Sequence, residues 1–178
     1  DDPHKVICKI EMLPESEKKK VLYDFNKTEM EYPREKLIHQ LFEEQVERTP
    51  DNVAVIFEDK SMTYRELNER ANQLARVLRR KGVQRDAIVG IMVPRSFELI
   101  TGILAILKAG GAFMTIEPDY PEERIKYMLE NSKVSILLTS GNSYAHGSTE
   151  KIDIFDKTLY DKESDKNLEY INTSGDLV

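Results

Sequence analysis

Between residues 87 and 138 the chain alternates short apolar runs with segments of helical period. Residues 87–93, 112–116 and 134–138 each have strand length and carry almost no polar side chains. Between them Ser96 is placed to cap a helix through Lys108 that Gly110-Gly111 stops, and Pro121 opens another that runs to about Asn131. Strands buried on both faces read as continuous apolar runs, and their alternation with helices predicts right-handed βαβ crossovers and a parallel sheet. The expected fold class is α/β, a partly parallel sheet flanked by helices.

Such a sheet needs a core, and 40% apolar residues in 178 suffice for one domain or a piece of a larger one. The longest apolar stretch, 99–116, approaches transmembrane length, but Lys108 sits in its middle and Gly110-Gly111 interrupts it. A charge at a bilayer centre costs roughly 2.5–3.5 kcal/mol on insertion scales, so a buried helix followed by a strand is the better reading. The single cysteine, Cys8, has no partner for an internal disulfide, which fits a reducing compartment and a cytoplasmic location. A net charge of −6 leaves no broad footprint for nucleic acid or an anionic membrane. No basic-then-apolar leader opens the chain, and its first residue is Asp1 rather than Met, so an excised segment is the expectation.

Upstream of the alternating region, residues 6–10 resemble the end of a strand. Pro14 then opens a short charged helix to Phe25, with Val21, Leu22 and Phe25 as its apolar positions. Residues 26–36 read as a linker, which places a domain boundary between 1–36 and 37–178. From Leu37 a helix is expected with Ile38, Leu41, Phe42 and Val46 on its buried face and His39 on the solvated one, ending at Thr49-Pro50. Residues 53–57 and a second strand at Met62 form a hairpin. Thr63 and Glu66 then make a capping box, with Met62 and Leu67 as its hydrophobic staple. Leu67, Ala71, Leu74, Ala75 and Leu78 make one apolar stripe, and Gly82 ends the helix behind Arg79, Arg80 and Lys81, which complement its dipole. After Thr139 the signal weakens to a surface loop marked by Gly141, Asn142, Ser143, Gly147 and Ser148, a short strand at 152–155, and a polar stretch at 160–172.

Complete catalytic constellations are missing from this pattern. His4, His39 and His146 have no partners at metal-ligand spacing, Cys8 reads as inert, and neither Gly-x-Ser-x-Gly nor His-Glu-x-x-His occurs. Phosphate cradles need glycine N–H groups and commonly a lysine. Residues 139–143 and 173–175 have the composition without the following Gly-Lys-Ser/Thr, and read as ordinary loops. Of the carboxylates, Glu43 and Glu44 point different ways on their helix, while Asp119 and Glu122 favour a helix N-terminus. Glu117 is the one candidate for a ligand role, because it follows a strand and ligands in α/β sheets bind beyond strand C-termini. No catalytic, cofactor-binding or metal-binding residue is assigned.

Several segments together resemble the adenylation domains of nonribosomal peptide synthetases. Met62-Thr63-Tyr64-Arg65-Glu66-Leu67 with Asn68 and Ala71-Asn72-Gln73-Leu74-Ala75 is similar to the first core motif of that family. Leu107-Lys108-Ala109-Gly110-Gly111-Ala112-Phe113, continuing through Pro118-Asp119-Tyr120-Pro121-Glu122-Glu123-Arg124-Ile125, is similar to the second. Leu41-Phe42-Glu43-Glu44-Gln45-Val46 with Thr49-Pro50 resembles the first helix of these domains, and the likeness keeps its order from about Tyr32 to Thr139. Met114-Thr115-Ile116-Glu117 departs from the family's apolar-Pro-apolar-Asp run, leaving a Thr115 N–H that a proline would lack. Residues 1–31, with Met12-Leu13-Pro14 and Phe25-Asn26-Lys27-Thr28, resemble the end of a condensation domain and its linker.

The resemblance implies the N-terminal part of an adenylate-forming fold, whose complete domain converts an amino acid and ATP to aminoacyl-AMP and pyrophosphate with Mg²⁺. The amino acid is then loaded on the phosphopantetheine thiol of a neighbouring carrier domain. The family's phosphate loop, substrate pocket, ribose-binding acid and catalytic lysine all follow later in such chains, and Thr173-Ser174-Gly175-Asp176 resembles the lead-in to that loop. These residues alone are therefore expected to be inactive and to pair with the rest of the domain and with condensation and carrier domains, and a cut sheet edge favours self-association. Two other readings stay open: a non-catalytic interaction module, and part of a ligase that adenylates acids without an amino group.

Overall fold

The computed structural model describes residues 13–141 and 149–178, which fall into two compact units divided after Arg34. Residues 6–10, Cys8, His4, His146 and most of the predicted loop at 142–148 lie outside the described residues. In the first unit Pro14 precedes helix α1, Glu15–Lys19, which continues as one wider turn, Lys20–Asp24. The Asn26 side chain donates to the carbonyls of Val21 and Leu22 at 3.1 and 2.9 Å and closes that turn. Its apolar positions Val21, Leu22 and Phe25 are all exposed.

The second unit starts with α2, Ile38–Arg48, whose first free N–H, on Leu37, is taken by the Gln40 side chain at 2.8 Å. Strands β1, Val53–Phe57, and β2, Lys60–Thr63, form the expected antiparallel hairpin. Helix α3, Tyr64–Arg80, begins at the predicted capping box: Thr63 Oγ1 accepts from Glu66 N at 3.2 Å, and the Glu66 carboxylate accepts from Thr63 N at 2.9 Å. Met62 and Leu67 share one buried cluster, as a staple requires.

Then come β3, Ile88–Met92; α4, Phe97–Ala109; β4, Ala112–Thr115; α5, Glu122–Asn131; β5, Ile136–Thr139; and β6, Glu150–Asp153. The last four strands along the chain, β3 to β6, make one parallel sheet in the order β4-β3-β5-β6. Alternate residues serve opposite faces. Val89, Ile91, Ile136 and Leu138 pack under α3 and α4, while Met92 and Leu137 pack with Ile125 and Leu129 of α5. Thr115 pairs with Ile91 at the end of β4, so the residue that departs from the family pattern is part of the ladder. β5 starts two residues later than the apolar run suggests and β6 two residues earlier, while Ile154 just beyond β6 is fully buried.

The polar stretch after β6 is not a free loop. Past a short 3₁₀ turn, Lys157–Leu159, the chain runs as a strap along α3. Gln73 donates to the carbonyls of Asp161 and Glu163, Arg76 to those of Ser164 and Lys166, and Asn72 to that of Asp165 at 2.6 Å. Tyr160 and Leu168 enter the main core from it. No helix among the described residues is long and apolar enough to cross a membrane.

Candidate functional site

β3 leads through α4 to β4 on one side, and β5 leads to β6 on the other, so the sheet has its switch point beyond the C-terminal ends of β3 and β5. Crevices of this kind are where open α/β sheets bind ligands. At its floor Thr139 is fully buried and spends its hydroxyl on the Gly141 carbonyl at 3.0 Å. Glu117, the candidate from sequence, is exposed, and its carbonyl closes a turn with Tyr120 N at 3.1 Å. No carboxylate cap forms at α5: Pro121 is the N-cap residue and Asp119 makes no side-chain cap bond, so Glu122 and Glu123 supply the negative charge of the first turn instead. The Thr173-Ser174-Gly175 segment forms a turn in which Asp176 accepts from Thr173 N at 2.7 Å and Thr173 Oγ1 at 3.1 Å, and pairs with Arg85. Those contacts hold the Asp176 carboxyl below its usual range, the Thr173 N–H contributing most. An internal carboxylate thus takes the donor that a phosphate would need, consistent with a loop that is not itself a phosphate site.

The densest polar chemistry lies elsewhere, where α2, α3, α4 and the strap meet. Glu43 and Lys108 form an ion pair whose side chains are 4% and 1% exposed. The second Glu43 oxygen accepts from the Tyr170 hydroxyl. Asn167 Oδ1 accepts from Asn68 and Asn72, each at 2.9 Å, and from Lys108 at 3.4 Å. Arg79 donates to the last carbonyls of α4, Lys108 at 2.9 Å and Ala109 at 3.2 Å, and to Glu169 of the strap at 2.6 Å. Its charge therefore complements the dipole of α4, not only that of its own helix.

Here the sequence reading of α2 is corrected. His39 and Glu43 are buried, at 4% and 3% exposure, whereas Ile38 and Leu41 of the expected apolar face are 54% and 39% exposed. Phe42 and Val46 are half-buried. His39 is thus not a solvated residue. Its ring lies 5.6 Å from that of Tyr170, and burial pulls its pKa down to about 4 against the opposing pull of Glu43, with Lys108 and Arg79 adding to the fall. The helix turns this side inward because Lys108 needs an anion: burial disfavours its ammonium, and the Glu43 carboxylate offsets part of that. Burial and the bond to Glu43 raise the Tyr170 phenol. Lys108 in the middle of the apolar stretch 99–116, in the last turn of α4, was the visible signal for such a partner, and no local pattern says which carboxylate answers it.

The family model for AMP-binding enzymes matches residues 42–176, a span that contains both motif segments, the switch point and most of the polar junction. The chain belongs to the AMP-binding enzyme family. Among curated relatives, bacitracin synthase 3 of Bacillus licheniformis is 51% identical over 172 residues, 97% of this chain and 3% of that one. Gramicidin S synthase 2 of Brevibacillus brevis is 49% identical over 179 residues, 99% of this chain and 4% of that one. The AMP-binding chain thus spans a small fraction of the synthases it matches. Among solved structures, the nonribosomal peptide synthetase FmoA3 with AMPPNP bound superposes with a TM-score of 0.79 at 27% identity, over 86% of this chain and 17% of that one. An artificially fused adenylation-PCP di-domain synthetase, NpsA-ThdA from Klebsiella oxytoca, gives 0.68 at 29% identity, over 78% and 26%. The fold and the relatives of this AMP-binding segment are those of synthetase adenylation domains.

Proposed function

We propose that this chain is the structural opening of an amino-acid adenylation domain in a nonribosomal peptide synthetase. The observation that carries the reading is the family match over 42–176 together with both core motifs in order on α3 and across α4, β4 and α5. The complete domain activates an amino acid with ATP to aminoacyl-AMP and pyrophosphate, then transfers it to the phosphopantetheine thiol of a neighbouring carrier domain, in the cytoplasm. Residues 1–36 are the tail of a condensation domain and the linker to residues 37–178.

The described residues hold no group of three or more His, Cys, Asp or Glu side chains that fits a metal ion, so no step is assigned to Mg²⁺ on this chain. Nor does the Thr173–Asp176 turn offer a free phosphate cradle. The part played by these residues is to build the sheet and hold the strap. Amino-acid-dependent ATP–pyrophosphate exchange tests this: the complete domain carrying the segment is expected to exchange, and residues 1–178 alone are not. Exchange by residues 1–178 overturns the assignment. A complete domain that exchanges only with acids lacking an amino group replaces it by an acyl-adenylating ligase, and one with no exchange replaces it by an interaction module. Among the described residues β4 and β6 are the edge strands of the sheet, which favours self-association of the isolated segment, and light scattering at rising concentration checks this.

A further inference from the structure

Among the described residues Lys108 is the one Lys or Arg, and Glu43 the one Asp or Glu, that is buried backbone and side chain together. Stability alone gives little reason for such a pair, because well-packed apolar residues of the same volume serve as well or better. What an apolar pair would lack is the reach to a third element. Through Glu43 the pair holds the Tyr170 hydroxyl, and through Lys108 it touches Asn167. Further bonds fall on either side: Arg79 to Glu169 O, and Asn172 Nδ2 to Gly110 O at 2.9 Å. Four of the six residues from 167 to 172 are thereby tied to α2, α3 or the C-terminal end of α4. The next residue, Thr173, opens the turn bonded to Arg85, and Leu177 N donates to Asp86 at 3.0 Å.

We propose that Glu43, Lys108 and Tyr170 are positioning residues for the nucleotide: they fix the strap, and the strap sets the entry to the phosphate-binding loop that the family resemblance places after Thr173-Ser174-Gly175. The proposal rests on the adenylation reading above. The three residues touch no substrate. They act through the backbone at 167–173, which they lock to the same helices that pack on the sheet. Displacement of a reacting group by about 1 Å costs on the order of a hundredfold in rate, so a loosened strap is felt first by the group that the loop holds.

The test uses Tyr170→Phe, which removes one hydroxyl and leaves the ring contact with His39, and Glu43→Gln, which keeps an acceptor but loses the charge. In residues 1–178, amides of the 168–176 segment are expected to exchange hydrogen at least about tenfold faster in Tyr170→Phe, with α3 and α4 still protected. In the complete domain the KM for ATP is expected to rise at least about tenfold while the KM for the amino acid changes less than about twofold. Glu43→Gln, which leaves the buried Lys108 ammonium without its countercharge, is expected to show at least as large a rise, and the surface variant Arg65→Ala none. Unchanged exchange of the strap overturns the proposal, as does an unmoved KM for ATP in an active domain. An equal rise in both KM values, following the loss of thermal stability, shows a merely structural role and overturns it too. An unsubstituted complete domain without amino-acid-dependent exchange overturns the adenylation reading, and the proposal with it.

Discussion

Lys108 of α4 and Glu43 of α2 meet as a buried ion pair across 65 positions of chain. Removing one member leaves the other charged and buried, so Glu43→Ala is expected to cost about 3–5 kcal/mol. Replacing both, as Glu43→Leu with Lys108→Met, is expected to cost far less than the sum of the single changes. Denaturant titration of a double-mutant cycle measures that coupling, and additive single effects would show that the pair is not formed.

Gly110 ends α4 at φ +101°, and a Cβ there would collide with the side chain of Ile171 in the strap. Gly82, at φ +94°, has nothing within 4 Å of the same position. Both Gly→Ala changes incur the left-handed strain of about 1–2 kcal/mol. Only Gly110→Ala must also push aside the Ile171 side chain, so it is expected to be the more damaging by a further 1 kcal/mol or so. Equal melting-temperature shifts would sink this account.

His39 links stability to pH. Its folded-state pKa, about 4, lies below the ordinary 6.5, so the unfolded chain binds more protons between these values. The contribution from His39 is complete above about pH 6.5 and is lost as pH falls toward 4, at about 1.4 kcal/mol per unit and at most about 3 kcal/mol. His39→Phe, which keeps a ring against Tyr170, is expected to flatten that part of the pH–stability curve. An unchanged slope between pH 6.5 and 4 would place the imidazole in solvent.

The α3 helix offers two graded tests. Thr63→Ala removes the oxygen that accepts from Glu66 N and is expected to cost about 1 kcal/mol. Leu74→Ala, at a fully buried position, is expected to cost roughly 2–5 kcal/mol, by denaturant titration. A neutral Leu74→Ala would contradict the packing of α3 on the sheet.

Local chemistry explains what was legible in advance. Thr63 with Glu66, Ser96, Gly82 and Gly110 set helix ends through bonds or dihedrals that involve only near neighbours. The apolar runs of β3, β4 and β5 announced strands buried on both faces, and a parallel sheet follows from their alternation with helices. The family motifs could be read for the same reason, since they lie on these local elements. For the switch point only half was legible: Glu117 was rightly placed after a strand, but its exposure was not visible from its neighbours in sequence.

Helix ends and strand runs were thus determined by the sequence itself, because each depends on contacts a few residues apart, and the fold class follows from their alternation. Only the tertiary structure decided which way α2 faces and that residues 160–173 form a strap. Read alone, His39 and Glu43 are polar residues on a helix surface, and 160–172 is a polar loop. Their burial and bonding depend on Lys108 and Tyr170, and Tyr170 lies 127 positions from Glu43. A charge inside an apolar helix demands a partner of opposite sign, but its identity is fixed only when packing brings the helices together.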